Sequence, residues 1–187
     1  MKIAGISGSP RKNGSTESII RHCLSFFQEN GYATDLISLH ETKISPCIHC
    51  DFCKEKPWCS QDEEANRVNT ILADADAILV ASPVYFGCMT GQLKCLLDKT
   101  RPLRRDGMKL KGKIGAAIAT GGSRNGGQEL TIQNIHAWML VQGIIIVGDN
   151  NHFGGTVHTP FKDDPAGLGT VDGTLTAMHS LLSRISG

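Results

Sequence analysis

The chain has 187 residues, 40% of them hydrophobic and 20% charged, with Lys+Arg 19 against Asp+Glu 18 for a net charge of +1. That length suits one domain, able to bury roughly 70% of its unfolded surface without disulfide staples. The composition excludes a disordered body, and the balanced charge gives no electrostatic ground for a nucleic-acid or membrane partner.

The elements alternate along the chain. Ile3 to Ser7 reads as a strand. Ser15 to about Asn30 reads as a helix, with Ile19, Ile20, Cys23, Leu24 and Phe27 on one face. Ser15 is its expected N-cap and Gly31 the glycine that ends it. Ala33–Leu39 follows as a strand, then a helix over Glu63–Ala73 with Val68, Ile71 and Leu72 as its stripe. Ala77–Ala81 is continuously apolar, as a strand buried on both faces requires. A helix over Thr90–Thr100, a strand over Ile114–Ala119, a helix over Gly126–Gln142, a strand over Ile144–Val147 and a last helix over Gly173–Ile185 complete the set. The fold class expected is therefore α/β, a doubly wound sheet of five parallel strands with helices on both faces. Residues 1–187 are expected to form one domain with an inserted loop at 43–61. A second irregular segment, 150–170, is expected to serve function or an interface. The apolar N-terminal stretch is too short for a signal-peptide core, and Ile144–Val147 is far from the ~20 residues of a membrane span. A soluble, cytoplasmic protein is expected, where structural disulfides are disfavoured.

Ser7-Gly8-Ser9-Pro10-Arg11-Lys12-Asn13-Gly14-Ser15-Thr16 joins the first strand to the first helix. A helix N-terminus carries free N–H groups and partial positive charge, so this loop is an anion site. Ser7, Ser9, Ser15 and Thr16 add hydroxyls, and Arg11 and Lys12 add charge. Gly8 and Gly14 are spaced too far apart for a Walker loop and no G-x-G-x-x-G is present. Hydroxyls without a metal-ligating pattern suit a phosphomonoester that stays intact.

Three segments carry a resemblance: this loop, Ser82-Pro83-Val84-Tyr85-Phe86-Gly87, and Ala119-Thr120-Gly121-Gly122-Ser123-Arg124-Asn125-Gly126-Gly127-Gln128-Glu129. Together they resemble the flavodoxin-fold FMN reductase superfamily. The resemblance implies a flavodoxin-like sheet and FMN at the edge where the three segments emerge. The first loop would take the phosphate, Pro83 to Gly87 would edge the flat ring, with Tyr85 and Phe86 as apolar walls, and Gly121-Gly122 would close over the far side. Core packing is the alternative for Tyr85 and Phe86. Cys88, after Phe86-Gly87, reads as packing, with a place near the ring as the alternative.

Cys47, Cys50, Cys53 and Cys59 follow a C-x2-C-x2-C-x5-C spacing. Seven cysteines in 187 residues would place about 0.5 in a window of thirteen by chance, so the clustering is real. Thiolates this close read as a metal site, with zinc and iron–sulfur both open. Structural zinc usually pairs two separated knuckles; three cysteines at x2-x2 spacing with a fourth nearby are similar to a compact ferredoxin run. A redox dithiol or an empty site is the remaining alternative. His49 is expected to point away, and Cys23 and Cys95 read as core.

The cysteine motif beside the flavin-type segments resembles the iron–sulfur flavoprotein family. That resemblance implies FMN plus one 4Fe–4S cluster, with Cys47, Cys50, Cys53 and Cys59 as its four ligands. It also implies electron transfer between a one-electron donor such as ferredoxin and a small-molecule acceptor, in a homotetramer whose clusters approach neighbouring flavins, with 150–170 in that packing. No catalytic nucleophile or general base stands out, and none is expected. The rival readings are an NAD(P)H-dependent FMN or quinone reductase without a cluster, and a redox-sensing or zinc-stapled binding module.

Overall fold

The computed structural model describes residues 1–185. Its strands are β1 (Lys2–Ser7), β2 (Ala33–Ser38), β3 (Ala77–Pro83), β4 (Ile114–Gly121), β5 (Ile145–Ile146) and β6 (Gly155–His158). Its helices are α1 (Ser15–Glu29), α2 (Glu63–Asp74), α3 (Gly91–Asp98), α4 (Arg101–Arg105), α5 (Gln128–Gln142) and α6 (Pro165–Ile185). The sheet runs in the order β2-β1-β3-β4-β5 and is parallel throughout, with Ile3 opposite Thr34 on one side and Ala77 on the other. This is the flavodoxin-like order, in which the strand sequence reverses at β1 and β3.

Alternation along the strands sorts the core into two layers. Ala4, Ile6, Ile78 and Val80 pack with Val68 and Leu72 of α2, Leu93 and Leu96 of α3, and Ile132, Ile135 and Met139 of α5. Ile3, Leu79 and Ile118 pack on the opposite face with Ile19, Ile20, Cys23 and Phe27 of α1, and Val171, Leu175 and Met178 of α6. The whole of β4 is buried, as a strand covered on both faces must be. No helix of the described residues is long and apolar enough to cross a membrane.

Four expectations are corrected. The sheet has six strands, because the fifth lane is split: β5 pairs with Ile114 and Gly115, whereas β6 pairs with Ile118–Gly121 further along β4. Segment 150–170 therefore contributes a buried lane of the sheet as well as loop; Gly155 and Val157 of β6 are buried. The last helix starts at Pro165, eight residues before the expected Gly173, since proline suits a first helical position and the Asp164 carboxylate accepts the Gly167 N–H at 3.0 Å. Finally, Gly14 and not Ser15 is the N-cap of α1, and no side chain caps that end. The first-turn amides are thus left for an outside acceptor.

Candidate functional site

β1, β3 and β4 all deliver their carboxyl ends to one edge, and the loops that leave them enclose a cavity of about 410 Å³. Its wall comprises Ser9, Arg11, Asn13, Gly14, Ser15 and Thr16 from the first loop, Pro83, Val84 and Tyr85 from the second, and Thr120, Gly121 and Gly122 from the third. Thr159 joins them. Hydrogen bonds fix these loops to one another. Thr16 and Thr120 hydroxyls meet at 2.8 Å, Val84 N–H donates to Thr120 carbonyl at 2.9 Å, and Thr90 hydroxyl donates to Gly8 carbonyl at 2.6 Å.

The second loop is a tight hairpin. Tyr85 and Cys88 exchange backbone hydrogen bonds across Phe86 and Gly87, both of which have positive φ. That turn leaves Phe86 fully exposed at its tip and outside the cavity wall, while Tyr85, 43% exposed, faces the cavity. Neither ring packs in the core. Gly87 and Gly127 lie outside the wall too, but they let two loops cross: a Cβ on Gly127, at φ +107°, would stand 3.0 Å from Gly87 Cα. Lys12 and Gly126 also lie outside it, and Ser7 is fully buried with an Oγ that has no partner.

Sequence reasoning missed Gly14 and Thr159. Gly14 lies within the expected phosphate loop, but the expected N-cap is Ser15, the next residue. Thr159 arrives through β6, and its N–H donates to Gly121 carbonyl at 2.8 Å. Behind it, Asp164 accepts from His158 N–H at 2.7 Å and from Arg124 at 2.6 Å, which ties the third loop to the start of α6. Burial alone would raise the Asp164 carboxyl, but these donors and the Gly167 N–H together hold it below the usual range.

The second constellation stands between β2 and α2. Cys47, Cys50, Cys53 and Cys59 are all free and line one cavity, with Phe52, Lys99, Arg101 and Pro102. Among the described residues no three His, Cys, Asp or Glu side chains close on a single metal ion. The four thiols share a wall without meeting at one point. His49 lies outside that wall, as expected. Cys23 is fully buried, and burial pushes its thiol up; Cys95 is only half-buried.

Side chains hold this irregular loop at both ends. Lys99, 2% exposed, donates from Nζ to Asp62 at 2.7 Å and to Ser45 Oγ at 2.8 Å. Asp62 also accepts from Ser45 N–H and, as N-cap of α2, from Ala65 N–H. Asn66 clamps Cys59 through both its backbone groups, at 2.7 and 2.8 Å. Asp51 adopts a left-handed conformation at φ +61° between Cys50 and Cys53, where Lys54 and Arg101 donate to it at 2.5 and 2.9 Å. Those two bonds, Lys54's first, draw its carboxyl down to about 2.

The family comparison fits both constellations. The model of the NADPH-dependent FMN reductase family matches residues 1–157. The iron–sulfur flavoprotein of Methanosarcina thermophila is 44% identical over 185 residues, 99% of this chain and 97% of the relative. The chain belongs to the iron–sulfur flavoprotein family. A second member, from Methanocaldococcus jannaschii, is 45% identical over 177 residues and covers 91% of each chain. A solved flavodoxin from the domain Archaea superposes with a TM-score of 0.64 at 16% identity over 96% of this chain and 98% of its own. That likeness shows the fold. Membership of the family makes the protein a flavoprotein oxidoreductase.

Proposed function

We propose that this oxidoreductase transfers electrons between a one-electron donor such as ferredoxin and a small-molecule acceptor, carrying FMN and one 4Fe–4S cluster. The observation that supports this most is the presence, in one chain, of two separate cavities with matching chemistries: hydroxyls and an uncapped helix end at one, four free thiols at the other.

The first cavity fits FMN. The uncapped α1 amides, the Ser9, Ser15 and Thr16 hydroxyls and Arg11 suit a phosphate, and the unpartnered Ser7 Oγ lies buried beneath the loop. Asn13 and Lys12 complete the loop that positions the phosphate. Pro83, Val84 and Tyr85 border the place for the ring, Thr120, Gly121 and Gly122 close the far side, and Gly87, Gly126 and Gly127 give the loops their approach. Phe86 stands at the exposed hairpin tip, outside the wall.

The second cavity fits a cluster by its donor set. A cubane takes thiolates at four separate corners, so a shared wall is what it asks of Cys47, Cys50, Cys53 and Cys59. FMN supplies two- or one-electron chemistry and the cluster one-electron chemistry, which together convert between pairs and single electrons. The protein binds and orients both, and no side chain acts as nucleophile or general base. Association into a homotetramer, with a neighbour's 43–61 loop approaching each flavin, belongs to the same reading.

Flavin, iron and acid-labile sulfide assays on anaerobically purified protein test the proposal. One FMN, four irons and four sulfides per chain are expected from the cofactor pair proposed. Cys→Ala at 47, 50, 53 or 59 should abolish the iron and leave the flavin, whereas Cys23→Ala and Cys95→Ala should keep both. Flavin without iron in the unaltered protein, combined with NADPH-driven turnover, would establish the cluster-free reductase instead.

A further inference from the structure

The cysteine cavity carries charges that its ligand set does not account for. Asp51, Asp98, Lys99 and Arg101 all border it. Two of these are committed elsewhere: Lys99 is buried against Asp62, and Asp98 accepts from Lys94 at 2.6 Å on the exposed face of α3. The pair left at the thiols is Arg101 with Asp51, joined at 2.9 Å.

Its position is specific. Asp51 sits between the second and third cysteines, in a left-handed backbone conformation that an ordinary side chain seldom takes. The 3₁₀ turn Phe52–Lys54 starts from it, with Lys54 N–H donating to Asp51 carbonyl at 2.8 Å, and this turn brings Cys53 round toward the cavity. Lys54 and His49 also face the Asp51 carboxylate, but both belong to the same loop and move with it. Arg101 alone among its partners comes from outside, at the first residue of α4. It therefore anchors the turn to the body of the protein.

Resting on the cluster reading above, we propose that Arg101 is a positioning residue for the cluster. Through Asp51 it fixes the turn between Cys50 and Cys53, and its positive charge, balanced against that carboxylate, sets the cluster's reduction potential. Reduction adds one electron and thus one negative charge to the cluster, so a nearby cation favours the reduced form and a nearby carboxylate opposes it.

Potentiometric titration of the anaerobic holoprotein with dithionite, followed by electron paramagnetic resonance, tests this. Arg101→Met leaves Asp51 without its outside cation and should move the one-electron equilibrium about tenfold toward the oxidised cluster, about 59 mV more negative. Asp51→Asn leaves the cation uncompensated and should move it the opposite way. The double variant should return toward the starting value, and Arg101→Lys should restore most of it. A merely structural role predicts losses of the same sign and no such cancellation. If Arg101→Met fails to retain iron, Asp51→Asn carries the test of sign and Arg101→Lys the test that charge rather than side-chain shape is what matters. Arg101→Met and Asp51→Asn shifts of the same sign, or no shift in Asp51→Asn, overturn the role of Arg101 while the cluster stands. An unaltered protein without iron and labile sulfide overturns the cluster reading itself, and the role of Arg101 with it.

Discussion

The cavity at the strand ends and the cysteine loop lie in one small chain, yet they are held by opposite means. The first is shaped by regular structure: three parallel strands stop at one edge, a helix begins there, and backbone and hydroxyl hydrogen bonds tie the loops together. The second has almost no regular structure and is held by charged and amide side chains from Asp62, Asn66, Lys99 and Arg101. Substitutions at the first should therefore change what is bound more than whether the chain folds. At the second, folding and binding should be coupled, because the Lys99–Asp62 pair that holds the loop is buried in the protein's body.

The strongest way to break this contrast is Lys99→Met. Lys99 is 2% exposed and Asp62 6%, so removing the ammonium leaves a carboxylate buried without its cation. Losing one partner of a buried pair costs about 3–5 kcal/mol. Asp62 also caps α2 and holds Ser45, so the damage should spread to both ends of the 43–61 loop. Urea unfolding of the variant measures it; a loss below about 1 kcal/mol, the scale of an exposed pair, would show that the loop does not depend on this clasp.

At the other cavity the expected effect is smaller and of another kind. Arg11→Ala with Ser15→Ala removes a charge and a hydroxyl from the phosphate end of the wall. Flavin affinity should fall by about 1.5–3 kcal/mol for the charged hydrogen bond, with less for the hydroxyl. Arg11 is exposed, and the α1 cap is Gly14, so the unfolding midpoint of the flavin-free protein should scarcely move. A flavin titration with unchanged affinity would remove these residues from the phosphate site.

Much of the first cavity was legible in the sequence and much of the second was not, for a physical reason. A parallel strand buried on both faces is written as a local apolar run, and Ala77–Ala81 lies wholly within the observed β3. The loops that follow such strands must then share an edge. β6 escaped because it is four residues long, begins at Gly155 and alternates Thr and His with buried positions. The start of α6 escaped because Pro165, Gly167 and Gly169 look like breakers, although Asp164-Pro165 is a cap followed by a proline at the first helical position. The cysteine spacing itself was plain. What holds it was not: Arg101 reaches Asp51 across fifty residues and Lys99 reaches Asp62 across thirty-seven, distances at which no local pattern operates.

The smallest expected effect compares the two regions through acid. Asp62 anchors the cysteine loop and Asp164 anchors the third loop and α6; both carboxyls are held below their ordinary range. In each, burial pushes the other way, and the donors together outweigh it: Lys99 with the Ala65 and Ser45 amides at Asp62, the His158 and Gly167 amides with Arg124 at Asp164. A carboxyl depressed in the folded state binds its proton at lower pH than in the unfolded chain. Its contribution to stability is therefore complete above the unfolded value of about 4 and is lost as pH falls through the folded value. Urea unfolding from pH 7 down to pH 3 should show stability declining on the acid side. Asp164→Asn should lower the plateau at neutral pH and flatten the acid decline, because the group that changes protonation is gone. The slope that remains should carry the share of Asp62, together with Glu17, Asp51, Asp74 and Asp149, whose carboxyls are depressed in the same direction. An Asp164→Asn variant with the full original acid slope would mean that the link between the third loop and α6 does not rest on that carboxylate's charge.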